Sequence, residues 1–120
     1  MRIRIVDKTT NKIIFANAKE ALGFFKRLRG LMFRKTMPSD EALIFYHTPS
    51  IHTFFMRFDI DIIFLDDNKR IMKIYKNLKP NKAIYCPNSY CAIECSGSSV
   101  SSKRIEVGHY IEFVEENSAG

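Results

Sequence analysis

One aspartate carries the sharpest chemical signal in the sequence, because its pattern places it among apolar residues. Asp61 lies in the strand-like run 54–67, and strand alternation puts it on the same face as Ile63 and Leu65. An ionised carboxylate left alone in an apolar interior costs several kcal/mol, so it must meet a cation or take up a proton. The sequence therefore predicts a candidate site at Asp61.

Arg29 is the cation that the pattern offers to this carboxylate. It projects along an apolar helical stripe formed by Leu22, Phe25, Leu28 and Met32. A guanidinium fork binds a carboxylate through two hydrogen bonds, so we expect Arg29 to meet Asp61. Two interpretations stay open: a structural ion pair that anchors a helix to a sheet, or the charged floor of a ligand pocket. An error in the assumed strand phase is the third alternative.

His52 and Glu94 are further candidates for acid–base chemistry. His52 falls on the apolar face of a predicted strand over 52–58, which is typical of a hydrogen-bonded neutral core residue. It would act as a general base if it lay near Asp61 or Glu94. Glu94 alternates onto the face of Ala92, and next to Asp61 it would form a carboxylate pair of the kind used in acid–base work.

The cysteines and the remaining histidines do not have the spacing of a metal site. Cys91 and Cys95 on one strand would lie about 13 Å apart, too far for a disulfide or for two ligands of one zinc ion. With Cys86 they are predicted to be free thiols in a reducing compartment. His47 and His109 have no companions at metal-ligand spacing, so we assign no metal. We also assign no cofactor, because the sequence has no glycine-rich phosphate loop or dinucleotide fingerprint.

Short strands are the elements that must position these residues. The patterns predict strands at 2–6, 12–16, 42–47, 52–58, 60–66, 70–77, 90–95 and 110–114. Asn17 and Glu20 form a capping-box pattern that predicts the start of one main helix. These elements indicate an α+β fold, mostly antiparallel, as a small β-barrel or a curled sheet with that helix. We expect a single domain over 1–120, frayed at 115–120.

Two segments have less regular patterns. Residues 79–88 contain two prolines and are predicted to be irregular. The serine-rich segment 96–102 is predicted to form a loop or a short helical turn. If a helical turn begins there, its free N–H groups can hold an anion.

Composition limits the classes of partner. The chain carries 19 Lys and Arg against 13 Asp and Glu, a formal charge of +6, and the basic residues are scattered. This favours a solvated basic surface, with nucleic acid as an alternative partner that Tyr85 and Tyr90 would contact if exposed. The N-terminus lacks the apolar core of a secretory signal and no segment is long enough to span a membrane, so we expect a cytoplasmic protein.

Several motifs resemble an uncharacterised prokaryotic family, domain of unknown function 192. They are the Arg-Gly-Leu-Met-Phe-Arg motif at 29–34 and the segments 41–45, 52–66, 93–94 and 107–108. The resemblance implies a compact domain rich in β-strand with no established activity. The motif positions that it carries over are Arg29, Gly30, Met32, Arg34, Met56, Asp61 and Glu94.

The sequence departs from the commoner family pattern at several positions. Phe55 stands where many relatives have Trp, Arg57-Phe58 where they have Asn-Thr, and Asp59 where they have Pro. Gly108-His109 replaces their Gly-Asp. A ligand site that used those polar groups would therefore have a different specificity here.

The favoured function is a binding module for a small polar or anionic ligand or a partner segment. Its candidate ligand-binding residues are Arg29, Arg34, His52, Asp61 and Glu94, because charged groups on apolar faces gather at functional sites. One alternative is a small hydrolase or lyase that uses His52 with Asp61 or Glu94. The other is a single-stranded nucleic-acid binder.

Overall fold

Strands dominate the computed structural model, which describes residues 2–22 and 31–116. Strand conformation accounts for 51% of these residues and helix for 4%. The strands are β1 (Arg2–Asp7), β2 (Lys12–Glu20), β3 (Glu41–Tyr46), β4 (Ser50–His52), β5 (Ile60–Leu65), β6 (Ile71–Leu78), β7 (Ala83–Tyr85), β8 (Cys91–Ser96) and β9 (Ile111–Glu116). The helix of the described part, α1, spans Ser99–Ser102. None of its helices is long and apolar enough to cross a membrane.

Seven of these strands form one sheet in the order β6-β5-β8-β3-β2-β1-β9. Its strand pairs are antiparallel except β2 with β3, which run parallel from Asn17 opposite Glu41 to Glu20 opposite Ile44. β4 and β7 form a separate antiparallel pair. The strand β5 is buried along its whole length, as its apolar run predicts.

The predicted α+β class and the predicted barrel are wrong, because the described chain is nearly all β and does not close. The edge strands β6 and β9 approach each other at one end through a single bridge, Arg70 with Tyr110. A closed barrel requires a continuous hydrogen-bonded ladder between these edges. The mostly antiparallel character of the prediction is confirmed.

The predicted helix start at Asn17 is wrong as well. Residues 17–20 continue β2 and pair with β3, so the backbone groups that a helix would use are taken by the sheet. A capping box is a local preference, and pairing with a neighbouring strand overrides it. The rest of the predicted helix, including Arg29, falls mostly on 23–30, which lie outside the described residues.

The predicted strand over 52–58 is also wrong beyond His52. Thr53 is fully buried, and its hydroxyl donates to the carbonyl of Lys79 at 2.7 Å. Phe55 then adopts a φ of 62°, which turns the chain where a strand would run straight. The small partner strand β7 was missed, because the prolines around it predict irregular structure.

Apolar side chains form two cores on the two faces of the sheet. The first core contains Ile63, Leu65, Ile93 and Cys95, together with Ile5, Phe15 and Val100. The second core contains Ile60, Ile62, Phe64 and Ala92, and is covered by Ile51 from β4 and by Leu31, Met37 and Met56 from the connecting segments. The seven-stranded sheet therefore separates two apolar environments in which a polar group can be buried.

Candidate functional site

Asp61 is fully buried on the first-core face of β5. Its cross-strand partner is Cys95, which belongs to the first core, so the predicted face is confirmed. One carboxylate oxygen accepts the backbone N–H groups of Asn77 at 2.7 Å and Ser98 at 3.2 Å. The other accepts the N–H of Val100 at 2.8 Å. Three backbone N–H groups thus donate to a carboxylate for which the sequence had indicated only Arg29 as a partner.

Two of these donors, Ser98 and Val100, belong to the serine-rich segment 96–102. It forms a short helical turn, α1, as the sequence predicts, and its free N–H groups do hold an anion. That anion is the protein's own Asp61, so the turn is linked to the centre of the sheet. The expected cation, Arg29, lies outside the described residues, and the predicted pairing of Arg29 with Asp61 stays a prediction.

Glu94 has the opposite arrangement, because it is buried without compensation. It is 4% exposed, and Oε2 has no hydrogen-bond partner among the described residues. Its cross-strand neighbours are Leu43 and Ile62, both apolar. Burial raises the pKa of Glu94 to about 8. At neutral pH the side chain is therefore mainly a neutral acid with a proton to donate.

Asp61 and Glu94 project to opposite faces of the sheet. Asp61 lies opposite Cys95 on the first-core face, whereas Glu94 shares the second-core face with Ala92, as alternation predicts. The two carboxylates are separated by the sheet backbone, so they do not form the acid–base pair considered above. Among the carboxylates of residues 2–22 and 31–116, Glu94 alone combines burial, an unpartnered oxygen and a raised pKa.

An open cavity of about 350 Å³ lies at the end of β8, and Glu94 is not one of its lining residues. Its wall includes Ser96, which is the next residue after Glu94 on the same strand face and about 7 Å along the strand. Met37 and Phe58, which belong to the second core or pack against it, line the other side. The cavity therefore begins about 7 Å along β8 from Glu94 and does not enclose it.

Arg34 forms an ion pair with Glu41 at the start of β3. Its two terminal nitrogens donate to the two carboxylate oxygens at 2.8 and 2.9 Å. The hydrogen bonds lower the pKa of Glu41 and raise the pKa of Arg34. This ion pair links the segment before β3 to the first residue of that strand, and no pattern in the sequence indicated Glu41 as the partner.

His52 ends β4 away from both carboxylates. Its Nδ1 accepts the N–H of Phe54 at 3.2 Å, and its ring stacks on the Phe54 ring at 5.3 Å. None of the described hydrogen bonds joins His52 to Asp61 or Glu94. The described geometry therefore does not assemble the His–carboxylate arrangement that a hydrolase or lyase would need.

The aromatic residues around β4 were underestimated by the sequence analysis. Phe33 and Phe55 are 59% and 62% exposed and stack on each other at 5.5 Å. Tyr85 is 62% exposed, as considered for nucleic-acid binding, whereas Tyr90 is half-buried against the first core. The adjacent aromatic residues Phe54 and Phe55, close to Arg57, could have indicated this surface, but they were assigned to the predicted strand over 52–58.

The cysteines are all free and buried. Burial raises the pKa of Cys91 to about 12 and shifts that of Cys95 upward as well. These thiols therefore stay protonated and serve as small apolar core residues. No group of three potential metal ligands occurs within 2–22 and 31–116.

Comparison with known proteins decides the family. The model of domain of unknown function 192, described as "Uncharacterized ACR", matches residues 5–113. The chain belongs to this family. A UPF0127 protein of the archaeon Thermococcus sibiricus is 33% identical over 96% of the chain and 79% of the relative. The UPF0127 protein of Pyrococcus furiosus is 30% identical over 91% of the chain and 97% of the relative.

Two solved structures share the fold of this chain. A protein of unknown function from Novosphingobium aromaticivorans has a TM-score of 0.79 at 21% identity, covering 92% of this chain and 82% of that one. A protein from Sinorhizobium meliloti, described as a putative transcription regulator, has a TM-score of 0.81 at 19% identity, covering 93% and 92%. The family has no established activity, and these likenesses show the fold alone.

Proposed function

We propose that this chain is a single-domain binding module that holds a small polar ligand on the second-core face of its sheet, with Glu94 as the recognising group. The observation that carries the proposal is the Oε2 atom of Glu94, which is buried and has no partner among the described residues. A buried polar group without a hydrogen bond costs about 1–3 kcal/mol, and a bound ligand can remove that cost.

The protonation state of Glu94 defines the kind of ligand. With a pKa of about 8, the neutral acid donates one hydrogen bond at pH 7. A buried carboxylic acid kept neutral in this way is a recognised hydrogen-bond donor to a ligand oxygen. The ligand therefore presents an acceptor, such as an amide or carboxylate oxygen. Its apolar part packs against neighbours such as Ile62 and Met37.

The other predicted site residues have different roles in this proposal. Asp61 holds α1 and Arg34 holds the start of β3, so both shape the module without touching the ligand. Arg29 and His52 stay predictions as ligand-binding residues. A cytoplasmic location also stays a prediction, and the three free thiols fit a reducing compartment.

A set of matched four-carbon probes tests the proposal. Butyramide, butyrate and n-butylammonium have similar tails and different polar heads, and saturation-transfer NMR detects their weak binding. We expect butyramide and butyrate to bind wild-type protein at pH 6. For butyramide, whose own charge does not change, affinity falls about tenfold per pH unit above the pKa of Glu94.

Two substitutions at one position provide the controls. Glu94→Gln keeps a donor that does not titrate, so butyramide should bind equally at pH 6 and pH 9.5. Glu94→Leu keeps the apolar surroundings but removes the donor, so binding should be lost although the protein stays folded. Equal binding by Glu94→Leu, or binding of n-butylammonium alone, would contradict the proposal.

A further inference from the structure

Two exposed phenylalanines adopt backbone conformations that bulky residues rarely take. Phe33 has a φ of 67° and Phe55 a φ of 62°. This left-handed region is unfavourable for residues other than glycine, asparagine and aspartate. A hydrogen bond from the N–H of Phe33 to the carbonyl of Phe55, at 3.1 Å, joins the two strained positions.

The two rings do not belong to the apolar core, because both lie on the surface. They stack on each other with ring centres 5.5 Å apart and an interplanar angle of 29°. Backbone strain persists only where the surrounding structure enforces it, and it is concentrated at functional sites. The turn at Phe55 thus holds a stacked aromatic pair outward at an energetic cost.

A second stacked pair and a tyrosine extend this surface. The rings of His52 and Phe54 lie 5.3 Å apart at 23°. In the β4–β7 pair, Ile51 and Ile84 face the second core, so His52 and Tyr85 share the outer face at diagonal positions. We call the following set the aromatic surface: Phe33, His52, Phe54, Phe55 and Tyr85.

Cations without acidic partners lie close in sequence to the residues of the aromatic surface. Lys35, Arg57 and Lys82 are exposed, and no described residue forms a salt bridge with any of them. The nearby acids Glu41 and Asp59 are occupied by other cations in described ion pairs. The resulting local charge is positive, in agreement with the net charge of +6.

We propose that the aromatic surface binds single-stranded nucleic acid. Exposed rings offer π-faces on which successive bases stack, and the flanking cations neutralise phosphates. Stacking of this kind tolerates any base, so the binding is sequence-independent.

Fluorescence anisotropy with a labelled oligothymidylate of about 12 nucleotides tests the proposal. We expect saturable binding in about 50 mM salt. Three phosphate contacts predict an affinity that falls about twentyfold when the salt is raised to about 200 mM. Phe54→Ala and Phe55→Asn should each weaken binding roughly tenfold, the second without backbone strain because asparagine tolerates the left-handed region.

Matched variants elsewhere on the molecule provide the controls. Tyr110→Ala removes an exposed ring that lies over Arg70, and Lys12→Gln removes an exposed cation at the β1–β2 turn. Both should leave the affinity unchanged, whereas Lys82→Gln should reduce the salt dependence. Circular dichroism confirms that each variant is folded.

Several results would overturn the proposal. One is the absence of binding in about 50 mM salt. Another is a loss of affinity in Tyr110→Ala as large as that in Phe54→Ala. Cosedimentation with phosphatidylglycerol vesicles in the absence of oligonucleotide binding would assign the aromatic surface to a membrane instead.

Discussion

At the scale of single residues, two buried carboxylates show two different outcomes of burial. Strand alternation correctly placed Asp61 and Glu94 on their faces. The partners of Asp61 were beyond sequence reasoning, because its three donors are backbone N–H groups of residues 16 to 39 positions later in the chain. Every residue except proline carries such a donor, so no side-chain pattern marks those that will converge.

Asp61→Asn should destabilise the protein by about 2–3 kcal/mol. Asparagine has one acceptor oxygen and one NH₂ donor, so at least one of the three N–H groups would face a donor. Urea unfolding at pH 7 measures the change. Asp66→Asn is the matched control, because a single oxygen of Asp66 accepts both of its N–H donors, at 2.9 and 3.0 Å. Equal stability of the two variants would contradict this role of Asp61.

Glu94 should make stability fall as the pH rises from 4.5 to about 8. The unfolded state releases the Glu94 proton near pH 4.5, whereas the folded state keeps it until about pH 8. Folding therefore retains a proton in this window, and the free energy of unfolding decreases by about 1.4 kcal/mol per pH unit.

Urea unfolding at several pH values, compared between wild type and Glu94→Gln, isolates this contribution. The difference in the free energy of unfolding should depend on pH across the window and level off above it. Glu112→Gln, at an exposed position of β9, should leave the wild-type pH dependence unchanged. If the free energies of unfolding of wild type and Glu94→Gln changed in parallel with pH, the folded protein would not raise the pKa of Glu94.

At the scale of elements, the prediction succeeded where the strand pattern was clear. The strands predicted at 2–6, 12–16 and 60–66 are confirmed as β1, β2 and β5. Two of the failures arose where long-range contacts overrode a local pattern. Parallel pairing with β3 extended β2 through Asn17 and Glu20, and the hydrogen bonds of Thr53 with the 79–82 segment ended the strand at His52.

Gly97 connects two elements, because it lets the turn before α1 approach the segment before β5. A Cβ atom there would lie 2.9 Å from Oδ1 of Asn77 and 3.0 Å from the carbonyl oxygen of Asp59. The N–H of Gly97 also donates to that carbonyl at 3.0 Å. Gly97→Ala should therefore destabilise the protein by about 1–3 kcal/mol, measured by urea unfolding.

The control for Gly97→Ala is Ser101→Ala, which changes an exposed residue of α1. We expect the control to alter stability by less than about 0.5 kcal/mol. Amide exchange at Val100 adds a local readout, because displacing the turn weakens the hydrogen bond from Val100 to Asp61. A stable Gly97→Ala variant with unchanged exchange would show that the turn shifts freely.

At the scale of the whole molecule, the sheet curls until its edges meet at one end without closing. The contact consists of three backbone hydrogen bonds between the starts of β6 and β9, and two of them form the Arg70–Tyr110 bridge. The sequence could not predict this contact, because the curvature accumulates over seven strands. Further curling of the same sheet would close it into the predicted barrel. Here the edge strands are joined by one bridge and the sheet stays open.

The edge contact should open more readily than the centre of the sheet. We expect the amides of Ile71 and Ile111, which donate across the contact at 2.9 and 2.8 Å, to exchange faster than those of Ile63 and Ile93 in β5 and β8. Gly108 has a φ of +95° and donates to the carbonyl of Ile71 at 2.8 Å.

Gly108→Ala should widen this difference in exchange. Alanine in the left-handed region costs about 1 kcal/mol, which predicts roughly fivefold faster exchange at Ile71 and Ile111. Hydrogen exchange followed by NMR measures it, with Ile63 and Ile93 as internal references. If all four amides were equally protected in wild type and accelerated together in Gly108→Ala, the edges would open only with the whole sheet. Faster exchange confined to Ile71 and Ile111 would instead establish the edge contact as a separately opening unit, as expected where a single bridge replaces a ladder.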